Sequence, residues 1–175
     1  YTRQDTLEAN VLAAIQLQVE AALDYDKLLD KLRGSEGEKN IRDQQNALIT
    51  SLNLRLNGVS KKRTRLYEDY AEGLLDEAEY SFAKKSYDEQ YADLSRRLDE
   101  AVQRRSKFDE AMSVDNKWIT LMKSVSTATQ LSQDLVDESV ELVKVHEGGA
   151  VELVMKYGDI YELTIQSIKE VQEAM

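Results

Sequence analysis

The 175-residue sequence contains no proline and no cysteine, one histidine, one tryptophan and seven glycines. Without cysteine there is no disulfide framework, no CxxC zinc site and no thiol nucleophile. A single histidine excludes a His-pair metal site of the HExxH kind. The lack of proline removes the strongest helix breaker and predicts long, uninterrupted helices. Long apolar runs are missing as well. Val11-Leu12-Ala13-Ala14-Ile15 is the longest near the start, against the roughly 18 residues of a membrane span. No basic stretch followed by an apolar core marks a secretion signal. The reading is a soluble, cytoplasmic chain with no membrane partner. It begins at Tyr1 rather than Met, which reads as a piece of a longer protein.

What is abundant is charge, chiefly negative. There are 23 basic and 33 acidic residues, for a net charge of −10. Residues 113–175 hold 5 of the basic and 11 of the acidic residues, and so −6 of the total. Phosphate neutralisation dominates nucleic-acid affinity, so a chain this acidic is expected to bind DNA weakly by itself. Basic clusters do occur, at Lys61-Lys62-Arg63 with Arg65, at Arg96-Arg97, and at Arg104-Arg105 with Lys107. All lie among or close to carboxylates and read as solvated helix faces.

Helical periodicity runs through most of the chain. Leu7, Val11, Ile15, Val19, Ala22, Leu23, Leu28, Leu29 and Leu32 follow Thr6, which is placed to cap them. Gly34-Ser35-Glu36-Gly37 reads as a stop and a flexible joint. Ile41, Leu48, Leu52, Leu56, Val59, Leu66 and Tyr70 form a second stripe ending near Glu72, with Gly58 inside it. After Gly73-Leu74-Leu75, Asp76 has capping-box spacing to Glu79. A third stripe then runs through Tyr80, Ala83, Tyr87, Tyr91, Leu94, Leu98, Val102, Phe108 and Met112. Helices of some 35 residues are about 50 Å long. Two of them joined by a few residues most simply run antiparallel. The turn is predicted at Glu72–Asp76.

Beyond Ser113, a short helix is expected around Trp118–Val125, then a polar stretch at 126–130. A helical segment follows at Asp134–Val143. Val151, Leu153, Met155 and Tyr157 alternate after Gly148-Gly149, predicting a β-hairpin at about 143–157 with a two-residue primed turn. A last helix starts near Ile160. The expected fold is mainly α: a long antiparallel coiled-coil hairpin projecting from a small α+β base with one β-hairpin. The expected divisions are 1–38 for the first helix of the base, 39–113 for the arm with its tip near 72–76, and 114–175 for the rest of the base.

No catalytic constellation stands out. His146 lacks a second ligand and reads as a strand or turn residue. The acid pairs Asp76/Glu77 and Asp99/Glu100 read as helix-face charges. Ser124, Ser126 and Ser132 have no His/Asp context. Gly148-Gly149 is too short for a phosphate loop. The informative cluster is at the hairpin turn, where Tyr67, Tyr70, Tyr80, Tyr87 and Tyr91 crowd together. They either fill the seam or turn outward as a contact surface. Leu74 and Leu75 occupy a turn, where residues are normally polar, and call for burial by an external partner.

The run Arg65-Leu66-Tyr67-Glu68-Asp69-Tyr70-Ala71-Glu72-Gly73-Leu74-Leu75-Asp76-Glu77-Ala78-Glu79-Tyr80 resembles the coiled-coil turn of large serine recombinases, the integrases of phages and conjugative elements. Leu7-Glu8-Ala9-Asn10-Val11-Leu12 resembles the helix that follows the zinc ribbon of that family. Leu135–Tyr157 resembles its helix and hairpin. The three stretches occur in the family's order. The resemblance implies an interaction module that makes subunit contacts in synapsis and helps control the direction of site-specific DNA integration and excision. Its implied contact residues are Tyr70, Gly73, Leu74, Leu75 and Tyr80, and Tyr67 joins them as a candidate outward tyrosine beside the turn. It also implies other recombinase subunits as partners, a directionality factor, and DNA in the full-length protein. The family's catalytic serine domain and zinc-ribbon cysteines have no counterpart in these residues. No enzymatic activity and no cofactor are therefore expected here, with zinc expected in an upstream ribbon. The rival reading is an unrelated structural coiled-coil adaptor or scaffold.

Overall fold

The computed structural model describes residues 2–146 and 150–175. The fold is mostly helical with one two-stranded antiparallel sheet. The elements in chain order are α1 (Thr2–Leu32), α2 (Glu36–Ala71), α3 (Glu77–Met112), α4 (Lys117–Ser124), α5 (Gln133–Ser139), β1 (Val140–Val145), β2 (Val151–Met155) and α6 (Gly158–Glu173). They divide into two compact units. One comprises residues 1–39 with 107–175, the other residues 40–106.

The second unit is an antiparallel helical hairpin. Its centre is Leu52, Val59, Leu94 and Ala101, with Ile49, Leu56, Tyr87, Tyr91 and Leu98 packed against them. Three pairs between α2 and α3 set the register. Arg105 donates to Asn46 Oδ1. Arg63 Nη2 lies 2.8 Å from Asp88 Oδ1. Tyr70 stacks on Tyr80. From the first pair to the second, 17 residues down α2 match 17 residues back along α3.

The seam corrects two expectations. Leu48 and Val102 are each 48% exposed, while Ile49 packs on the centre and Ala101 is buried. Ile49, Leu52, Leu56, Val59, Leu66 and Tyr70 keep to the alternating three- and four-residue steps of a coiled coil, and that geometry outranks side-chain size. The same spacing puts Arg63 between Val59 and Leu66. There its guanidinium lies 4.8 Å from the Tyr91 ring centroid, so its stem covers the seam and its charge reaches Asp88. Gly58 interrupts nothing, because α2 is continuous through it.

In the first unit, α1 packs on α4, β2 and α6. Val11, Ile15, Val19, Ala22, Leu29 and Leu32 give α1 one buried stripe. It faces an apolar set that includes Trp118, Ile119 and Met122 of α4 and Ile168 and Val171 of α6, all buried. Leu23, which falls off the stripe, is 38% exposed. Thr6 lies inside α1 rather than capping it, since the helix already runs from Thr2. Asn116 is the N-cap of α4. Its Oδ1 accepts from Ile119 N at 3.1 Å, and its Nδ2 donates to Ala111 O at 2.9 Å and Thr164 Oγ1 at 2.8 Å. Arg33 closes the C-terminus of α3, donating to the carbonyls of Met112 at 2.8 Å and Ser113 at 2.7 Å. A cation there also complements the negative end of the helix dipole.

Only the first glycine of Gly34-Ser35-Glu36-Gly37 behaves as a joint. Gly34 has φ +74, and Ser35 Oγ accepts from Glu38 N at 3.2 Å to start α2. Gly37 is inside α2, where a Cβ would lie 2.2 Å from the carbonyl oxygen of Val171. It is glycine because α6 passes too close for anything larger.

The segment after Ser132 also departs from expectation. Ser132 Oγ caps α5 by accepting from Leu135 N at 3.1 Å, but the helix ends at Ser139, not Val143. Val140 begins a strand that pairs with Met155, and Val143 and Val145 pair with Leu153 and Val151. β-branched residues tolerate helical spacing but fit a pleated ladder better, and the partner strand settles which they adopt. The hairpin thus starts three residues earlier than expected. Between Val140/Met155 and Leu142/Val154 the register shifts, leaving Glu141 as the extra residue of a bulge. His146 N donates to Ala150 O at 2.9 Å. The Gly148-Gly149 turn lies outside the described residues. Helix α6 begins at Gly158, ahead of Ile160.

Candidate interaction surface at the hairpin turn

Local chemistry builds the turn between α2 and α3. Gly73 has φ +78, the left-handed conformation that costs glycine least. Leu74 N donates to Asp69 O at 2.9 Å and Gly73 N donates to Tyr70 O at 3.0 Å. These are the two bonds of a Schellman motif. On the other side, Asp76 Oδ1 accepts from Glu79 N at 2.8 Å, and Glu79 Oε2 accepts from Asp76 N at 3.1 Å. This is the reciprocal capping box expected from the sequence.

The Schellman geometry explains the state of Leu74. The residue in its place commonly packs against an apolar side chain three or four residues before the helix cap. Those positions are Asp69 and Glu68. With no apolar partner there, Leu74 stays 68% exposed. Leu75 is half-buried.

The tyrosines divide between the two readings. Tyr87 and Tyr91 are half-buried against the seam. Tyr70 and Tyr80 stack, with centroids 4.3 Å apart and planes 17° apart, which closes the seam just below the turn. Tyr67 is 63% exposed. The sequence reading missed Phe82, which is 81% exposed. It stands two residues beyond Tyr80, so on a helix it points away from the seam. Its failure to join the Tyr80–Ala83–Tyr87 stripe is the signal that could have found it. Tyr67, Leu74 and Phe82 are the exposed apolar groups around this turn, with the edge of Tyr70.

The other sequence candidates take structural places. His146 Nε2 is 3.2 Å from Glu152 Oε2, and Lys144 Nζ is 2.7 Å from Glu152 Oε1. Hydrogen bonds from Lys144 and then His146 hold the Glu152 carboxyl below its usual range. Ser124 and Ser126 donate to the carbonyls of Leu121 and Lys123. Asp99 and Glu100 lie on the exposed side of α3, where Glu100 pairs with Arg96. Among the described residues, no three His, Asp or Glu side chains form a group that could hold a metal ion. No described helix is long and apolar enough to cross a membrane.

Family models, curated proteins and solved structures hold no match to this chain. The reading of its function therefore rests on the residues and on the turn.

Proposed function

We propose that the chain is a coiled-coil interaction module of a large serine recombinase, acting through the turn between α2 and α3 on other subunits. In this reading the contact helps pair DNA sites in synapsis and helps set the direction of integration or excision, with a directionality factor as a further partner. The observation that carries it is Leu74, held in the open by a Schellman turn whose apolar slot is filled by Asp69 and Glu68. Exposed Tyr67 and Phe82 widen the surface. Full burial of a leucine or phenylalanine stabilises by about 1.5–3 kcal/mol. A few such groups support a weak, reversible contact once the loss of rotational and translational freedom is met. A contact that must be exchanged during recombination needs that strength. The recombinase assignment itself draws on the sequence resemblance of residues 65–80, and DNA affinity is assigned to the parent protein because this chain carries −10.

The test is Leu74→Glu with Phe82→Glu. Helicity and melting should stay unchanged, because both side chains are exposed. Self-association of the 175-residue protein in sedimentation experiments at high concentration should fall. In the parent recombinase, pairing of sites should suffer more than binding to each site. Unchanged association and unchanged pairing would reject the turn as the contact. Leu75 is excluded from the variant because it is half-buried, and its replacement would confound stability with contact.

A further inference from the structure

Charge is sorted along the hairpin. Residues 44–67 contain five basic residues and no acidic one, and residues 68–83 contain six acidic residues and no basic one. Part of this charge meets on the outer face of α2, where Lys61, Thr64, Arg65, Glu68, Asp69 and Glu72 line a single shallow groove. Lys61 and Arg65 hold one end of it, and Glu68, Asp69 and Glu72 the other. Among the described residues, none of these five charged side chains forms an ion pair.

This arrangement is unfavourable within one chain. Lys61 and Arg65 are four residues apart, as are Glu68 and Glu72, and like charges at that spacing repel on a helix. Glu68 and Asp69 also sit in the last turn of α2, which has no basic residue, and Glu72 lies just past its end. A helix C-terminus carries partial negative charge and favours cations. The end of α3 has such a cation in Arg33, whereas the end of α2 carries acids.

Opposite charges at the two ends make the groove complementary to itself turned end for end. Leu54, Gly58, Lys61, Arg65, Glu68 and Glu72 recur at alternating steps of four and three, the spacing of a coiled-coil seam. Two copies laid antiparallel about a two-fold axis between Arg65 and Glu68 set Lys61 against Glu72 and Arg65 against Glu68, each pair twice. The same alignment brings the Leu74 turn of each copy level with Gly58 of the other. There no atom lies within 4 Å of where a Cβ would stand, and Leu54, 68% exposed, is one turn further on.

We propose that the outer face of α2 docks on the same face of a second copy of this chain, antiparallel, so that the turn of each hairpin rests on the shaft of the other. The second copy's Lys61 and Arg65 supply the cations that the end of α2 lacks. A nucleic-acid backbone would meet Lys61 and Arg65 but be repelled by the three acids that follow within about three helical turns. The inference rests on the reading of the turn as a contact between subunits and names where the turn lands.

The experiment is a charge exchange in the 175-residue protein, read by sedimentation. Lys61→Glu with Arg65→Glu makes the groove acidic throughout, and Glu68→Lys with Glu72→Lys makes both its ends basic. Each variant alone should self-associate at least about tenfold more weakly than the parent protein, because like charges then face each other in every pair. An equimolar mixture of the two should form a one-to-one complex that weakens as salt is raised, because every pair is again opposite in sign. Lys61→Gln with Arg65→Gln adds no like charge to the helix, and should weaken association with an unchanged thermal melt. A mixture that stays monomeric, or exchange variants that associate as the parent does, would overturn the proposal. If the mixture fails while Leu74→Glu with Phe82→Glu still lowers self-association, the turn remains a contact and its landing place is elsewhere. If the mixture associates and Leu74→Glu with Phe82→Glu changes nothing, the charged face stands and the reading of the turn falls.

Discussion

Tyr70, in the last turn of α2, lies flat against Tyr80, in the first turn of α3, with ring centroids 4.3 Å apart and planes 17° apart. An aromatic pair adds about 0.5–1.5 kcal/mol beyond its buried area. In a double-mutant cycle with Tyr70→Ala and Tyr80→Ala, urea unfolding should give a coupling energy of that size. Each single variant should fray the hairpin at the turn first, seen as faster amide exchange at residues 70–80.

Three glycines give three different outcomes on replacement by alanine. At Gly73 the φ of +78 makes alanine cost about 1–2 kcal/mol. At Gly37 the added Cβ meets the Val171 carbonyl oxygen at 2.2 Å, and such overpacking costs about 1–3 kcal/mol. At Gly58 nothing lies within 4 Å, and alanine in a helix interior gains about 0.5–1 kcal/mol. Thermal melts of the three variants should therefore move down, down and up. A rise for Gly37→Ala would disprove the close approach of α6.

Asn116 is 1% exposed and serves three partners at once: Ile119 N, Ala111 O and Thr164 Oγ1. Asn116→Ala removes a helix cap worth about 1 kcal/mol. It also strands a buried carbonyl, at a further cost of about 1–3 kcal/mol. Chemical denaturation should show a larger loss than for Gly73→Ala or for either tyrosine variant at the turn. Asn116→Asp should recover the cap but not the bonds to Ala111 and Thr164.

Asp88 predicts the acid behaviour of the hairpin. The hydrogen bond from Lys84, followed by the nearby charges of Lys84 and Arg63, holds its carboxyl below the ordinary 3.8. A carboxyl depressed in the folded state contributes stability that is complete above its unfolded value and lost as pH falls through the folded one. The Asp88 contribution should thus persist to about pH 4 and disappear below it. Carboxyl NMR titration should place Asp88 under 3.8, and Lys84→Met should move it upward. Asp88→Asn should flatten the acid limb of stability, with its difference from the parent protein shrinking as pH falls and Asp88 takes up its proton.

Much of what depends on neighbours within about one helical turn was legible in the chain before it folded, the Thr6 cap being an exception because α1 already runs from Thr2. The stripes located the long helices, Gly73 located their turn, and the Asp76–Glu79 spacing specified the cap that forms. Leu74 could be singled out because a leucine in a turn has few local places to hide, and the Schellman bonds give the reason it stays exposed. Folding settled the outcome wherever distant residues compete for the same position. Leu48 and Ile49 are both apolar, and only the register with α3 buries the second. Val140 and Val143 fit a helix by spacing until Met155 and Leu153 pair with them. Gly37 reads as a flexible joint until α6 is seen against it. Local hydrogen bonds and helical period are written in adjacent residues, whereas register and close approach exist only once the chain has returned on itself.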